Sequence, residues 1–355
     1  MRVLVVGIIA AMAAFAVAGA ESLTKNDQGI FVSDKQEAQM PMNRGQALVI
    51  NAASTLGGEI VLKAGADRCR YSYKKLLKTP AKTEAEEYAQ AITVEMEAVK
   101  EKLILSLRAP ARAPWEGSDN SGRLQVQIFL PDSCSVHINT AYFDVEAVGP
   151  FAEVIIPGTL CKTRVEKVRG SAEINVSNRP LTIRDARGQL AITNKFGPIH
   201  LENIETDARG GTVYNENGEI RIDTYRGGID ARTSYARLTA QHLFLTGLDN
   251  RVKNTSSLID LSFDSLTSGS FRINNQYGTI NIEIGGRVDA RFICKIGEGS
   301  TVTAERLDVE PAVVEDNRLE FLSGQGTGEV RVTARGEGDI VIAGPGTSDI
   351  EGGGK

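Results

Sequence analysis

Glu219 and Asp223 stand four residues apart with Arg221 between them. Two carboxylates beside a cation are the equipment of polysaccharide-cleaving enzymes, one acid giving a proton while the other acts as base or nucleophile. Other acids recur through the same region at Asp185, Glu202, Asp230 and Asp260. One or two in every twenty residues is the distribution of a solvated surface rather than of a converging centre. His137, His200 and His242 each stand alone between apolar residues, which suits exposed strand positions better than metal ligation. The segment Gly336-Glu337-Gly338-Asp339 is half of a calcium-binding nonapeptide, present in one copy. Phosphate loops, nucleophile elbows and dinucleotide fingerprints are absent, so neither a metal nor a cofactor is expected.

Four arginines form the other candidate constellation. Arg169, Arg187, Arg209 and Arg226 each precede a glycine at intervals near twenty residues. If each coil of a repeat array carried one, they would line an edge suited to the carboxylates or phosphates of an anionic glycan. The plainer alternative, in which each pairs with a nearby acid or covers an apolar edge, is preferred. Residues 162–300 carry a small excess of Lys and Arg, and 301–355 are acidic. A net charge of -5 over 355 residues speaks against nucleic acid as a partner of the whole chain.

Elements that could position these residues are almost all strands. Apolar and polar residues alternate in ALVIN, in GGEIVLKAG, in LQVQIFLP and onward. One stretch breaks the pattern: TEAEEYAQA predicts a short helix over 83–91, with Thr83 as cap and Glu86 completing a capping box. Beyond residue 161 the text repeats. Ile192-x-Asn194-x-x-Gly197-x-Ile199-x-Leu201 recurs around Asn215, Gly218, Ile220 and Ile222, and around Asn275, Gly278, Ile280 and Ile282. A copy at Asn254, Ile259 and Leu261 has Ser257 for the glycine, and a weaker one starts at Thr233. Such units have no way to bury an apolar face alone and must stack on one another. The predicted fold is therefore all-β, a single-stranded β-solenoid (β-helix) of ~20-residue coils preceded by an N-terminal β-rich region with one short helix. The isoleucines and leucines of the motif would form inward ladders, with His200, Arg221, Asp260 and Asn281 pointing outward. Asn194, Asn215, Asn254 and Asn275 would make a ladder of turns, each amide bonding the next, and Gly197, Gly218 and Gly278 would supply positive φ.

These features together resemble the bacterial exported putative-adhesin family of β-solenoid proteins. The likeness rests on a leader, the helix segment TEAEEYAQAITVEM, the step LQVQIFLPDSCSVHI and the Asn-x-x-Gly-x-Ile-x-Ile coils, and covers roughly residues 45–343. The family is described mostly as a domain of unknown function, and the resemblance implies the solenoid fold without implying catalytic residues.

Residues 1–20 read as a secretory signal peptide: one Arg, a long apolar core, then Ala18-Gly19-Ala20. The expected organisation continues with an extended lead-in at 21–44, the N-terminal β region at 45–160, solenoid repeats at 161–343 and a Gly-rich tail at 344–355. Export to the periplasm, the cell surface or the medium would give the cysteines an oxidising setting. Cys134 and Cys161 follow two similar Pro-containing strands and make a candidate disulfide, with buried free thiols as the alternative. No second apolar stretch of spanning length occurs, so no stable membrane insertion is expected after cleavage. The functional expectation is a non-enzymatic adhesin or cell-envelope scaffold whose partner is a cell-surface glycan or an envelope protein. A carbohydrate-active solenoid enzyme and an end-to-end polymerising scaffold are the alternatives. Acids beside the last strand would blunt the end against the latter.

Overall fold

Each repeat of the sequence forms one layer with two strands, and layers stack so that every strand pairs in parallel with its counterparts above and below. The computed structural model describes residues 22–207, 210–307, 311–315 and 317–344. The leader, Arg209 and the tail beyond Gly344 lie outside the described residues. On the first face Gln189–Asn194 pairs with Gly211–Asn215, placing Asn194 against Asn215, and Asn215 lies against Thr233. On the second face Ile199–Glu205 pairs with Ile220–Gly227, and the chain returns to the first face through the next corner. Twelve such layers are present among the described residues, a stack of about 50 Å at the usual strand separation. Strand pairing runs across residue 161, where the sequence suggested a boundary: Tyr142–Thr159 and Thr163–Val176 each cross from one face to the other and pair along both.

The core follows from the alternation. Ile199, Leu201, Ile220, Ile222, Ile259, Leu261, Ile280 and Ile282 are all 1% exposed or less, while Arg221 is exposed and His200, Asp260 and Asn281 are half-buried. Each fully covered side chain of this size contributes about 1.5–3 kcal/mol relative to exposure. In five successive layers the second face departs from strict alternation once. Lys167, Asp185, Asn203, Thr224 and His242 have φ between 54° and 60° in mid-strand, and each sits where the text reads apolar-x-x-apolar, as in Leu201-Glu202-Asn203-Ile204. The left-handed residue absorbs the extra position and returns the following apolar side chain to the core.

The turns close differently from the expected amide ladder. Asn194, Asn215, Asn254 and Asn275 are buried, but each Nδ2 donates to a main-chain carbonyl in the turn of the layer before: to Arg179, Gly197, Ala236 and Ser257, at 2.6–2.9 Å. In two turns the Oδ1 also accepts from the amide of the glycine three residues on, Gly197 at 3.3 Å and Gly218 at 2.9 Å. Side chain thus bonds backbone rather than side chain, because stacked turns leave carbonyls pointing along the axis that nothing else reaches. Positive φ is likewise not the reason for all three glycines. Only Gly278 has it, at 133°. Gly197 and Gly218 have ordinary φ, and a Cβ on either would be driven into the carbonyl of the turn beneath. Close approach, not handedness, is what they provide.

Both ends of the stack depart from chain order. The layer built by Ala47–Ala52 and Gly57–Ala64 lies between the layer of Lys102–Arg108 and Ser121–Leu130 and the layer that begins at Ser135. At the other end Gly328–Ala334 is inserted between Ser270–Asn275 and Ala290–Lys295, and Ile340–Ala343 between Ile280–Val288 and Val302–Glu305. The last strands are therefore interior, and the acids near them do not blunt an end. Antiparallel strands close the first face instead, Thr93–Val99 at one end and Arg318–Ser323 followed by Val313–Glu315 at the other.

The helix spans Lys82–Ala91 and covers the first end, with Ala85, Tyr88 and Ala89 buried. The expected capping box does not form: Ala81 is the N-cap and no side chain caps it. Thr79 instead bonds Glu84, and the buried Lys75 ammonium donates to the Ala89 carbonyl at 2.7 Å, a cation at the negative end of the helix. Trp115 packs edge-on against Tyr88 at 5.3 Å and donates its indole N–H to Thr55.

All four cysteines are free thiols. The Cys134–Cys161 disulfide does not form because the two occupy opposite edges of the roll. Cys134 precedes the first-face strand Ser135–Asn139, while Cys161 follows the far end of the next first-face strand. A strand of five residues already separates such corners by about 17 Å, well beyond the reach of a disulfide.

Candidate functional site

A shallow depression of about 360 Å³ opens on the first face where the side chains facing out are small. Ser171, Ala191 and Gly210 lower the surface, and Glu153, Glu173, Gln189 and Thr212 rim it. Strand register brings these residues together from layers 18 or 21 residues apart: Glu153 lies against Ser171, Ser171 against Gln189, and Ala191 against Thr212. His137 Nε2 lies 3.0 Å from Glu153 Oε2, and Ser171 Oγ donates to Glu153 Oε1 at 3.1 Å.

Serine, histidine and carboxylate are thus all present in a row, but in an order that does not activate the serine. A nucleophilic serine needs the imidazole as its base, with the acid behind. Here the carboxylate stands in the middle. Its bond to His137 is the chief cause that holds Glu153 below the usual carboxylate range; burial pushes the other way by less than that bond, and the bond from Ser171 adds to the lowering. An acid so lowered is ionised at neutral pH and gives up no proton to a leaving group. The depression presents hydrogen-bond acceptors, and binding is the chemistry it supports.

The structure does not bring the sequence-derived acid pair together as one centre. Glu219 sits exposed in the turn and Asp223 in the middle of Ile220–Gly227. Four residues of extended chain separate them by about 13 Å, longer than the separations that suit paired glycosidase carboxylates. His242 bonds Asp264 at 3.0 Å. Among the described residues no three His, Cys, Asp or Glu side chains gather as metal ligands.

Of the four arginines, Arg187 and Arg226 fall in one second-face column with Glu205 between them. Arg187 Nε lies 3.2 Å from Glu205 Oε2, and the Arg226 guanidinium stacks over the Phe244 ring at 3.8 Å. Arg169 lies one position past Val168, which pairs with Ala186, and so occupies the same column. One arginine pairs with an acid and one covers an apolar surface, the two arrangements set out above as the plainer alternative.

Sequence reasoning missed a second line of surface residues. The turn position two beyond each asparagine, and two beyond Thr233 in the layer that lacks one, carries Phe196, Asn217, Tyr235, Ser256 and Tyr277 in successive layers. The three rings are 55%, 65% and 52% exposed. The signal was available in the repeat itself, as an aromatic residue in three of five turns otherwise built of polar and small residues.

No family model matches the sequence, and no curated protein matches it. Several solved structures are similar to it. A putative cell adhesion protein from Clostridium sporogenes is 9% identical, covers 88% of this chain and 99% of its own, and superposes with a TM-score of 0.20. A putative adhesin from Bacteroides fragilis is 9% identical over 88% of this chain and 97% of its own, with a TM-score of 0.29. Another, from Parabacteroides merdae, is 9% identical over 83% and 95%, with a TM-score of 0.31. Two of the three are named as putative adhesins and one as a putative cell adhesion protein. Overlap this loose says nothing of what the present chain binds.

Proposed function

We propose that the chain is an exported, non-enzymatic β-solenoid that serves as an adhesin or cell-envelope scaffold, holding a glycan or an envelope protein along its length. The observation that supports this reading is the in-register repetition of outward-facing positions, illustrated by His200 against Arg221 and Asp260 against Asn281. Equivalent positions recur at every layer, so a polymeric partner meets the same kind of contact many times and weak contacts add. The ionised Glu153 at the rim of the depression supports retention rather than turnover.

The test is retention of the leader-free protein on washed cell-envelope fractions, run beside an assay for new reducing ends released from the same polymers. Retention without release is expected. Release of reducing ends would replace this reading with the carbohydrate-active alternative, and absence of retention would remove the adhesion reading.

A further inference from the structure

The three exposed rings at the turn edge have no structural task. Asn217 and Ser256 hold the same place in the intervening layers, and their turns close through the same asparagine-to-carbonyl bonds. Backbone bonds stack the turns irrespective of the side chain: Asn217 N donates to Lys195 O, and Tyr277 N to Thr255 O, both at 2.8 Å. The ring is therefore an addition that the turn does not require, left facing water at half or more of its area.

Their spacing is regular. Phe196, Tyr235 and Tyr277 occur in every second layer, so neighbouring rings stand about 10 Å apart along the stack. An extended β-1,4-linked glycan turns each sugar over relative to the last, and the same sugar face returns once per disaccharide, which is the same interval. The C–H groups on a pyranose face carry slight positive charge and complement the negative face of an aromatic ring. Between the rings, Asn217 supplies an amide and Ser256 a hydroxyl at the positions of the alternate sugars, whose ring hydroxyls need partners. Tyr277 is flanked along the stack by the turn of the next layer: the backbone of Gly336 lies so close that a Cβ there would be 2.8 Å from the ring. A ring already held in place loses little freedom when a ligand arrives. Tyr214, 40% exposed on the adjoining strand, widens the apolar edge.

We propose that the turn edge marked by Phe196, Tyr235 and Tyr277 binds an extended β-1,4-linked glycan, the rings stacking on alternate sugars while Asn217 and Ser256 bond the hydroxyls between them. The proposal rests on the binding-module reading above and gives it a ligand class.

Hexamers of β-1,4-linked glucose and of β-1,4-linked N-acetylglucosamine are titrated into the leader-free protein by calorimetry, with an α-1,4-linked glucose hexamer as the geometric control. Binding of at least one β-linked hexamer, and of the α-linked one at least tenfold more weakly, is expected. Tyr235→Ala removes the middle ring and should weaken binding at least tenfold, while Tyr235→Phe keeps the ring and should bind within threefold of the unaltered protein. All these side chains are exposed, so the thermal melt of each variant should match that of the unaltered chain. Failure of both β-linked hexamers to bind overturns the proposal, as does equal binding of the α-linked hexamer or undiminished binding by Tyr235→Ala. Envelope retention separates the two readings: if it persists in Tyr235→Ala while neither hexamer binds, the turn edge is not the site and the adhesion reading stands.

Discussion

Replacing Asn215 by alanine tests how the stack is held shut at its turn edge. The side chain is fully buried; its Nδ2 donates to Gly197 O at 2.8 Å and its Oδ1 accepts from Gly218 N at 2.9 Å. Alanine leaves one carbonyl and one amide buried without those partners, in a turn too tight to admit water easily. Each such orphan costs about 1–3 kcal/mol, so a loss on the order of 3 kcal/mol is expected. Asn215→Asp is the sharper variant. It keeps the acceptor for Gly218 but sets a second oxygen against Gly197 O, and at neutral pH it should destabilise at least as much as alanine. Urea unfolding measures the global effect, and hydrogen exchange at the amides of 215–219 reports the local one, since long stacks do not always unfold in a single step. An Asn215→Asp protein as stable as the unaltered chain at pH 7 would refute the asparagine-to-carbonyl account, because no donor would then be needed.

Other consequences can be checked alongside. Gly218→Ala forces a methyl against the Gly197 carbonyl and should cost about 1–3 kcal/mol by the same unfolding assay, although its φ suits alanine. Cys69, Cys134 and Cys294 are fully buried, and burial pushes the thiols of Cys69 and Cys294 up to about 12. They should react with a thiol reagent only after denaturation, whereas the half-buried Cys161 reacts slowly in the native protein. Acid should loosen the C-terminal end first. Asp289 accepts backbone N–H bonds from Thr327 and Gly326, and Asp339 accepts from Thr301, and these bonds hold both carboxyls below their ordinary 3.8. A lowered acid lends stability above its unfolded value and loses it as pH falls through the folded value, so exchange at 326–343 should quicken below about pH 4 before that of the central layers.

The repeat was legible because its physics is local. Alternation, the Asn turn and the glycine three residues later all lie within a dozen residues, and the inward ladder of Ile199 to Ile282 follows directly. Layer order at the ends was not legible. Gly328–Ala334 alternates like any other first-face strand, and nothing in its pattern says that it pairs with Ser270–Asn275 rather than following Ala290–Lys295 in sequence. Likewise TEAEEYAQA announced a helix but not its cap, since Ala81 takes that place and Glu84 is engaged by Thr79. The arginine markers tracked the period correctly without being equivalent: Arg187 and Arg226 share a column, yet the residue between them in that column is Glu205, not Arg209. Glu219 and Asp223 show why spacing alone does not make a centre, because nearness in sequence is distance along an extended strand.

The interior placement of Gly328–Ala334 and Ile340–Ala343 bears on how the molecule resists force. A terminal strand on an open edge peels away bond by bond when pulled. A strand flanked on both sides must shear two rows of hydrogen bonds together, so tension on the C-terminus meets a bolt rather than a zipper. Tethered by that end, the rod would carry load along its whole stack before its last-made layer let go.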